Sequence, residues 1–266
     1  TRKFKIGFLT ADPKITACAC LRLTAPLEHL HARKEIEHLA VCDLAEGRLK
    51  IDEPLLRQAQ VVVVQRGLAA FVPYQVLRRA IPNPTVKIVF ELDDALTLLP
   101  RSHQAYQHFQ TVRPHLEPYL KNADLVTVST PKLKELYSHF NENIEVLPNT
   151  VDAAVWLPVS SKPLCVGKLT ILFSGTVTHE HDLALVERAI ERIIREFPER
   201  VEFLFWGDAP ATLKKLRQVK TVDVFMPNYK DYAARLKTLS VDLALVPLEV
   251  LPFNQAKSPI KWLEYS

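Results

Sequence analysis

Gln60-Val61-Val62-Val63-Val64-Gln65-Arg66-Gly67 is the stretch that decides the fold. Four successive β-branched residues do not alternate with polar ones, so a strand made of them is covered on both faces. That is the pattern of a parallel sheet between two layers of helix. Working outward, apolar strand-length runs at 5–10, 38–43, 87–92, 125–129 and 144–147 alternate with helix-period stretches at 21–32, 54–58, 73–80, 103–121 and 131–139. Regular strand–helix alternation of this kind predicts a doubly wound α/β domain over 1–150.

Pro148-Asn149-Thr150-Val151-Asp152 and the segment Trp156 to Pro163 then break the rhythm with prolines and serines, which reads as a connector over 151–168. The alternation restarts at 169. Strands are expected at 169–174, 201–206, 223–225 and 242–247, and helices at 178–197, 211–218 and 231–239. Leu183, Val186, Ala189, Ile190, Ile193, Ile194 and Phe197 share one face of the first of these helices. The region 169–266 is therefore a second doubly wound domain. A full one usually carries five or six strands; four are read here, and the chain starts at Thr1 rather than Met, so a trimmed chain with an incomplete second domain is expected.

Composition narrows the function. Of 266 residues 48% are apolar and 24% charged, a globular balance, and the net charge of +4 is spread without a basic run. Nucleic acid is not indicated, although peripheral association with an anionic membrane surface stays open. No apolar run reaches 18 residues, so no transmembrane helix is expected, and Thr1-Arg2-Lys3-Phe4-Lys5 leads into a strand without a signal peptide. A cytoplasmic location, at most at the inner face of the membrane, is expected. Cys18, Cys20, Cys42 and Cys165 have neither zinc spacing nor a disulfide framework. The six glycines form no G-x-G-x-x-G and no P-loop, which argues against nicotinamide enzymes and P-loop ATPases.

Four segments carry candidate chemistry. Ser258-Pro259 reads as a helix start, with Ser258 as N-cap and Lys257 just outside. Glu264 would then lie about 10 Å further along nearly the same side, a cation for phosphate followed by a carboxylate for sugar hydroxyls. Ser174-Gly175-Thr176 leaves a strand at its carboxyl end, where open α/β sheets bind ligands; Gly175 admits backbone amides to a phosphate, and Thr176 adds a hydroxyl. His179 and Asp182, three apart, face one way on the next helix. Phe90-Glu91-Leu92-Asp93-Asp94 gathers three acids at a strand end, at an electrostatic cost that suggests a use. A D-x-D-like pattern would suit a hard cation. Arg22 and Arg66 follow other strands of the same domain.

The stretch from Phe253 to Tyr265 resembles the donor segment of group 1 glycosyltransferases with the GT-B fold, in particular polysaccharide and O-antigen assembly members. The Gly175–Asp182 stretch is similar to their Gly-Thr-x-x-His-x-x-Asp, Glu91–Asp94 to their acidic-Leu-Asp-Asp, and Pro148–Asp152 to their Pro-Asn-x-x-Asp hinge. Trp206-Gly207-Asp208 resembles their Gly-Asp turn. The first Glu of the family's E-x7-E-like motif would fall at Ala256, where this chain departs from the pattern. The resemblance implies two Rossmann-like domains facing a cleft. The first is the acceptor side (Arg22, Arg66, Glu91), and the second holds a nucleotide-diphosphate sugar through Gly175, Thr176, His179, Asp182, Lys257, Ser258 and Glu264. It implies a retaining, metal-independent transfer, without a cofactor, to a glycan or lipid-linked hydroxyl. Lys257 would neutralise the departing diphosphate, and Asp93 or Asp94 would orient the reacting groups; in an inverting enzyme one of those acids becomes the general base. The rival readings are a nucleotide-sugar epimerase on the same architecture and a non-catalytic nucleotide- or sugar-binding fragment.

Overall fold

The computed structural model describes residues 3–14, 16–45, 48–81, 83–157, 167–175, 179–222 and 226–266; at 43–45 and 48 it describes the backbone alone. The chain divides into two compact units, Thr1–Thr150 with Gln255–Ser258, and Val151–Asn254 with Pro259–Ser266.

In the first unit, β1 (Phe4–Leu9), β2 (Ile36–Ala40), β5 (Val61–Gln65), β6 (Lys87–Leu92), β7 (Leu125–Val128) and β8 (Ile144–Val146) form one sheet in the order β2-β1-β5-β6-β7-β8. Every pair is parallel. Val62 and Val64 are fully buried, and Val61 and Val63 are partly covered on the opposite face, as the unbroken valine run predicts. The chain steps from β1 to one side and then returns to place β5 on the other. This reversal lies between β1 and β5, where a doubly wound sheet opens a crevice at its strand ends.

Two elements of this unit differ from expectation. The run at 38–43 is split: β2 ends at Ala40, and β3 (Cys42–Ala45) pairs antiparallel with β4 (Arg48–Ile51). The first helix, running from Ala17 to Ala32, contains a π turn at Cys20–Thr24.

In the second unit, β9 (Leu169–Ser174), β10 (Val201–Trp206), β11 (Val219–Val222) and β12 (Leu243–Leu245) form a parallel sheet in the order β11-β10-β9-β12, reversing between β9 and β12. The helix Glu180–Glu196 lays Leu183, Ile190 and Ile194 on a core made with Phe173, Phe203 and Phe205. No helix forms at 211–218. Leu213 and Lys214 hydrogen bond to the Pro210 carbonyl and Val219 to that of Leu216, because the chain must bury Leu213 and re-enter the sheet at Val219 within a few residues. The strand expected at 223–225 lies outside the described residues; β11 precedes it. The last helix runs Ile260–Tyr265, and Pro259 at its N-cap makes no side-chain cap bond. Ser258 instead accepts a hydrogen bond from Asn149. Its capping role is thereby corrected, and so is the two-turn helical spacing from Lys257 to Glu264, since residues 256–259 are not helical.

Candidate functional site

In the first unit, sheet register builds the site. Gln65 pairs with Glu91 and Leu92 with Val128, so Arg66, Asp93-Asp94 and Ser129 emerge side by side beyond the strand ends. Arg66 Nη1 lies 2.8 Å from Asp93 Oδ1 and 3.0 Å from Asp94 Oδ2. The Ser129 hydroxyl donates to the Asp93 carbonyl at 2.7 Å, fixing the turn. Arg22, aimed from the π turn, meets Glu91 Oε1 at 2.7 Å, with the two side chains 4% and 3% exposed. The segment Gln255–Ser258 adds Lys257, whose Nζ is 3.7 Å from Asp94 Oδ1. It is tied down where Thr130 Oγ1 donates to the Ala256 carbonyl at 2.9 Å.

Three groups that the sequence did not single out support these charges. Thr10 donates to Gln65 Oε1 at 2.6 Å, Gln65 Nε2 donates to the Cys18 carbonyl at 3.2 Å, and the Cys18 thiol donates to Asp93 Oδ2 at 3.3 Å. Burial pushes that thiol's pKa well up, so it serves as a donor and not as a thiolate nucleophile. A polar Gln closing an apolar strand was the signal that could have found this shell.

The three acids are not equivalent. Burial first, then the charge of Asp93, outweigh Arg22 and push Glu91 up to about 7, and its Oε2 is buried without a hydrogen-bond partner. Burial also raises Asp93 against the pull of Arg66. For Asp94 burial acts in the same upward sense, but Lys257 and Arg66 overcome it and hold the carboxyl below its ordinary range. Neighbouring acids pushed in opposite directions can take different proton-handling roles. Among the described residues no group of three or more His, Cys, Asp or Glu is arranged to hold a metal ion.

The second unit presents different chemistry at its strand ends. Gly175 follows β9, but its N–H donates to the Trp206 carbonyl at 3.1 Å and continues the sheet instead of pointing at a ligand. The absence of a side chain is what the position uses: a Cβ would stand 3.0 Å from the Phe173 ring and 3.1 Å from the His179 Cβ. Gly207, just after β10, has φ +109°, and a Cβ there would run into the Gly175 carbonyl. Asp208 turns outward to pair with Lys214. Thr176 lies outside the described residues.

His179 Nδ1 is 2.8 Å from Asp182 Oδ2. Asp182 is buried, and its Oδ1 accepts from the Glu249 N–H at 2.8 Å and from Asn254 Nδ2 at 3.2 Å, which fixes the loop after β12 to the start of the long helix. Around Ser174 stand the phenols of Tyr232 and Tyr265, and Lys261 donates to its carbonyl. Glu264 accepts from the Tyr229 hydroxyl at 2.9 Å. Burial, only partly offset by Tyr229 and then Lys261, pushes its carboxyl up to about 7. Trp156, Trp206, Tyr229 and Tyr232 pack into one aromatic group, with ring centroids 4.9–6.4 Å apart. Lys257 and Glu264, read from one sequence segment, thus belong to different units.

No protein-family model matches the chain, and no curated protein sequence matches it. Among solved structures, it is similar to a point mutant of Staphylococcus aureus TarM in complex with fondaparinux, alpha-GlcNAc-glycerol and UDP, at TM-score 0.45 and 12% identity over 74% of this chain. The chain spans 41% of the length of TarM. It is also similar to the catalytic domain of Arabidopsis thaliana starch synthase IV bound to ADP and acarbose, at TM-score 0.45 and 9% identity over 97% of this chain and 77% of that one. A third is A. thaliana UGT89C1 complexed with UDP, at TM-score 0.42 and 11% identity over 94% and 75%.

Proposed function

We propose that the chain is a glycosyltransferase of the GT-B kind, moving a sugar from a nucleotide-diphosphate donor to a hydroxyl of a glycan or lipid-linked acceptor in surface polysaccharide assembly. The observation that carries this reading is the meeting of Lys257 with Asp94 beside Arg66 and Asp93. The family resemblance assigns these distant positions to one reaction, and fold alone would not do so.

In this reading Lys257 neutralises the diphosphate as it leaves, the interaction that gains most as charge develops. Of the residues of the second unit, this reading gives His179, held by the buried Asp182, to the sugar and Glu264 to the ribose hydroxyls. Asp94, kept ionised, and Asp93 orient the acceptor hydroxyl and the transferred sugar, while Arg66 stands on the acceptor side and the buried Arg22–Glu91 pair supports it from below. The reaction retains configuration: the acceptor oxygen bonds to the anomeric carbon as the bond to the diphosphate breaks, and the hydroxyl proton passes to the departing phosphate oxygen. It uses no metal and no cofactor, and takes place in the cytoplasm or at the inner membrane face.

A thermal-shift panel of UDP-, GDP-, dTDP- and CMP-sugars tests the reading. One nucleotide class should raise the melting temperature of the parent protein and not that of Lys257→Ala. A donor-only incubation separates transfer from epimerisation, since an isomerised sugar without acceptor would replace this assignment. No response to any donor would sink it.

A further inference from the structure

The π turn at Cys20–Thr24 is the only π segment among the described helices, and such turns recur where a helix must re-aim a side chain for function. Here it directs Arg22 to three acceptors at once: Glu91 Oε1 at 2.7 Å, Asn149 Oδ1 at 2.9 Å and the Leu147 carbonyl. Its acceptors at 147 and 149 lie just before the chain leaves the first unit at Thr150. The amide of Asn149 is oriented by this contact, because its oxygen is occupied by the guanidinium. Its Nδ2 therefore points away and donates to Ser258 Oγ at 2.7 Å. Ser258 ends the short segment that rejoins this unit, and its neighbour is Lys257. Thr130 holds the other side of Lys257 through the Ala256 carbonyl.

We propose that Asn149 is a positioning residue for Lys257: oriented by Arg22, it pins Ser258 and thereby sets the Lys257 amine against Asp94. The role of Lys257 as a diphosphate ligand rests on the preceding reading, but the positioning does not. An amine on a four-carbon stem loses much of its rotational freedom when it is held at one place. Fixing its backbone from both sides removes part of that loss before any ligand arrives. Asn149→Asp keeps an acceptor for Arg22 and can accept from the Ser258 hydroxyl, so it preserves the chain of contacts. Asn149→Ala removes it.

The test uses the whole chain and two independent readouts. In the ligand-free protein, reductively methylated with 13C, the Lys257 dimethylamine signal (identified by its loss in Lys257→Arg) should stand apart from those of surface lysines. It should collapse toward them in Asn149→Ala and return in Asn149→Asp; an unchanged signal in Asn149→Ala overturns the proposal. If Asn149→Ala does not fold, Thr130→Ser against Thr130→Val gives the same comparison through Ala256. The second readout is affinity for whichever of UDP, GDP, dTDP or ADP stabilises the parent. Lys257→Ala should weaken it about 10- to 100-fold and Asn149→Ala about 5- to 10-fold, with the double variant no weaker than Lys257→Ala alone. Additive losses overturn the positioning role and leave the diphosphate reading standing. Unchanged affinity in Lys257→Ala overturns that reading and leaves the methyl signal to decide this one.

Discussion

At the strand ends of the first unit, Arg66 bridges Asp93 and Asp94, Arg22 is buried on Glu91, and Lys257 faces Asp94. At those of the second, phenols gather around Ser174 and a raised carboxyl, Glu264, is met by the Tyr229 hydroxyl. Both sheets reverse direction beside their first strand, so winding places a crevice at the same point in each. Winding does not choose its chemistry. In the first unit opposite charges neutralise one another, and each depends on its partners. In the second, Glu264 is held by one neutral donor, the Tyr229 hydroxyl, and a nearby lysine, so burial dominates its behaviour.

Removing one charge from the first cluster should therefore give the largest effect. Arg66→Ala leaves Asp93 and Asp94 without their shared cation; with side chains 13–26% exposed, the loss should be about 3 kcal/mol, the low end for a broken buried pair. Urea unfolding monitored by hydrogen exchange in β5 and β6 measures it; a loss below 1 kcal/mol would show that Lys257 and solvent suffice to neutralise the acids. The corresponding probe of the second unit is steric. Gly207→Ala forces a Cβ into the Gly175 carbonyl at φ +109° and should cost about 2–3 kcal/mol, with early exchange in β9 and β10. An unperturbed β9 would mean that the close approach of the two glycines has no structural weight.

What could be read from the sequence divides along the same line. Burial in Val61–Val64 and in the helix stripe Leu183, Val186, Ile190, Ile193 and Ile194 is dictated by local pattern, so the parallel sheets were legible. Ala189 and Phe197, read on the same stripe, are exposed, Phe197 because the helix has ended at Glu196. The acidic end of β6 was legible because three carboxylates at a strand end demand partners. The partners were not: Cys18, Gln65 and Asn149 enter through sheet register and a π turn, neither of which leaves a periodic trace. The Ser258 cap failed for a related reason. Ser-Pro is a sound helix-start signal, but the hydroxyl is taken by Asn149, a contact far away in sequence. Gly175 was read as admitting backbone amides to a phosphate; its own N–H belongs to the sheet, and its lack of bulk also spares the Phe173 ring and His179, a packing role with no sequence signal.

Glu264→Gln sharpens the contrast between the units through pH. The carboxyl sits at about 7 in the folded protein against an ordinary value near 4.5, so the folded state binds a proton that the unfolded state has released. Its contribution to stability is fully present below pH ~4.5 and is lost as pH rises through about 7. The neutral amide still accepts from Tyr229 and lacks that loss, so Glu264→Gln should be more stable than the parent at pH 8, on the order of 1–2 kcal/mol after allowing for partial exposure. The two should converge at pH 4.5 or below. Equal melting temperatures across the range would mean that water reaches the carboxyl.

Asp94 should behave with the opposite sign and the smallest amplitude. Lys257 and Arg66 hold it below its ordinary value of 3.8 despite burial, so the stability it contributes is present above that value and disappears as pH falls through the depressed folded pKa. Lys257→Ala removes the largest single cause of the lowering, and the carboxyl should titrate higher, visible as a shifted 13C carboxyl midpoint. The variant should lose about 0.5–1 kcal/mol at pH 7, as for a partly exposed pair, and nothing once the pH has fallen below the depressed folded pKa. An unmoved midpoint would leave Arg66 as the sole cation controlling Asp94. The first unit would then be a closed set of internal pairs, with Lys257 a bystander to it.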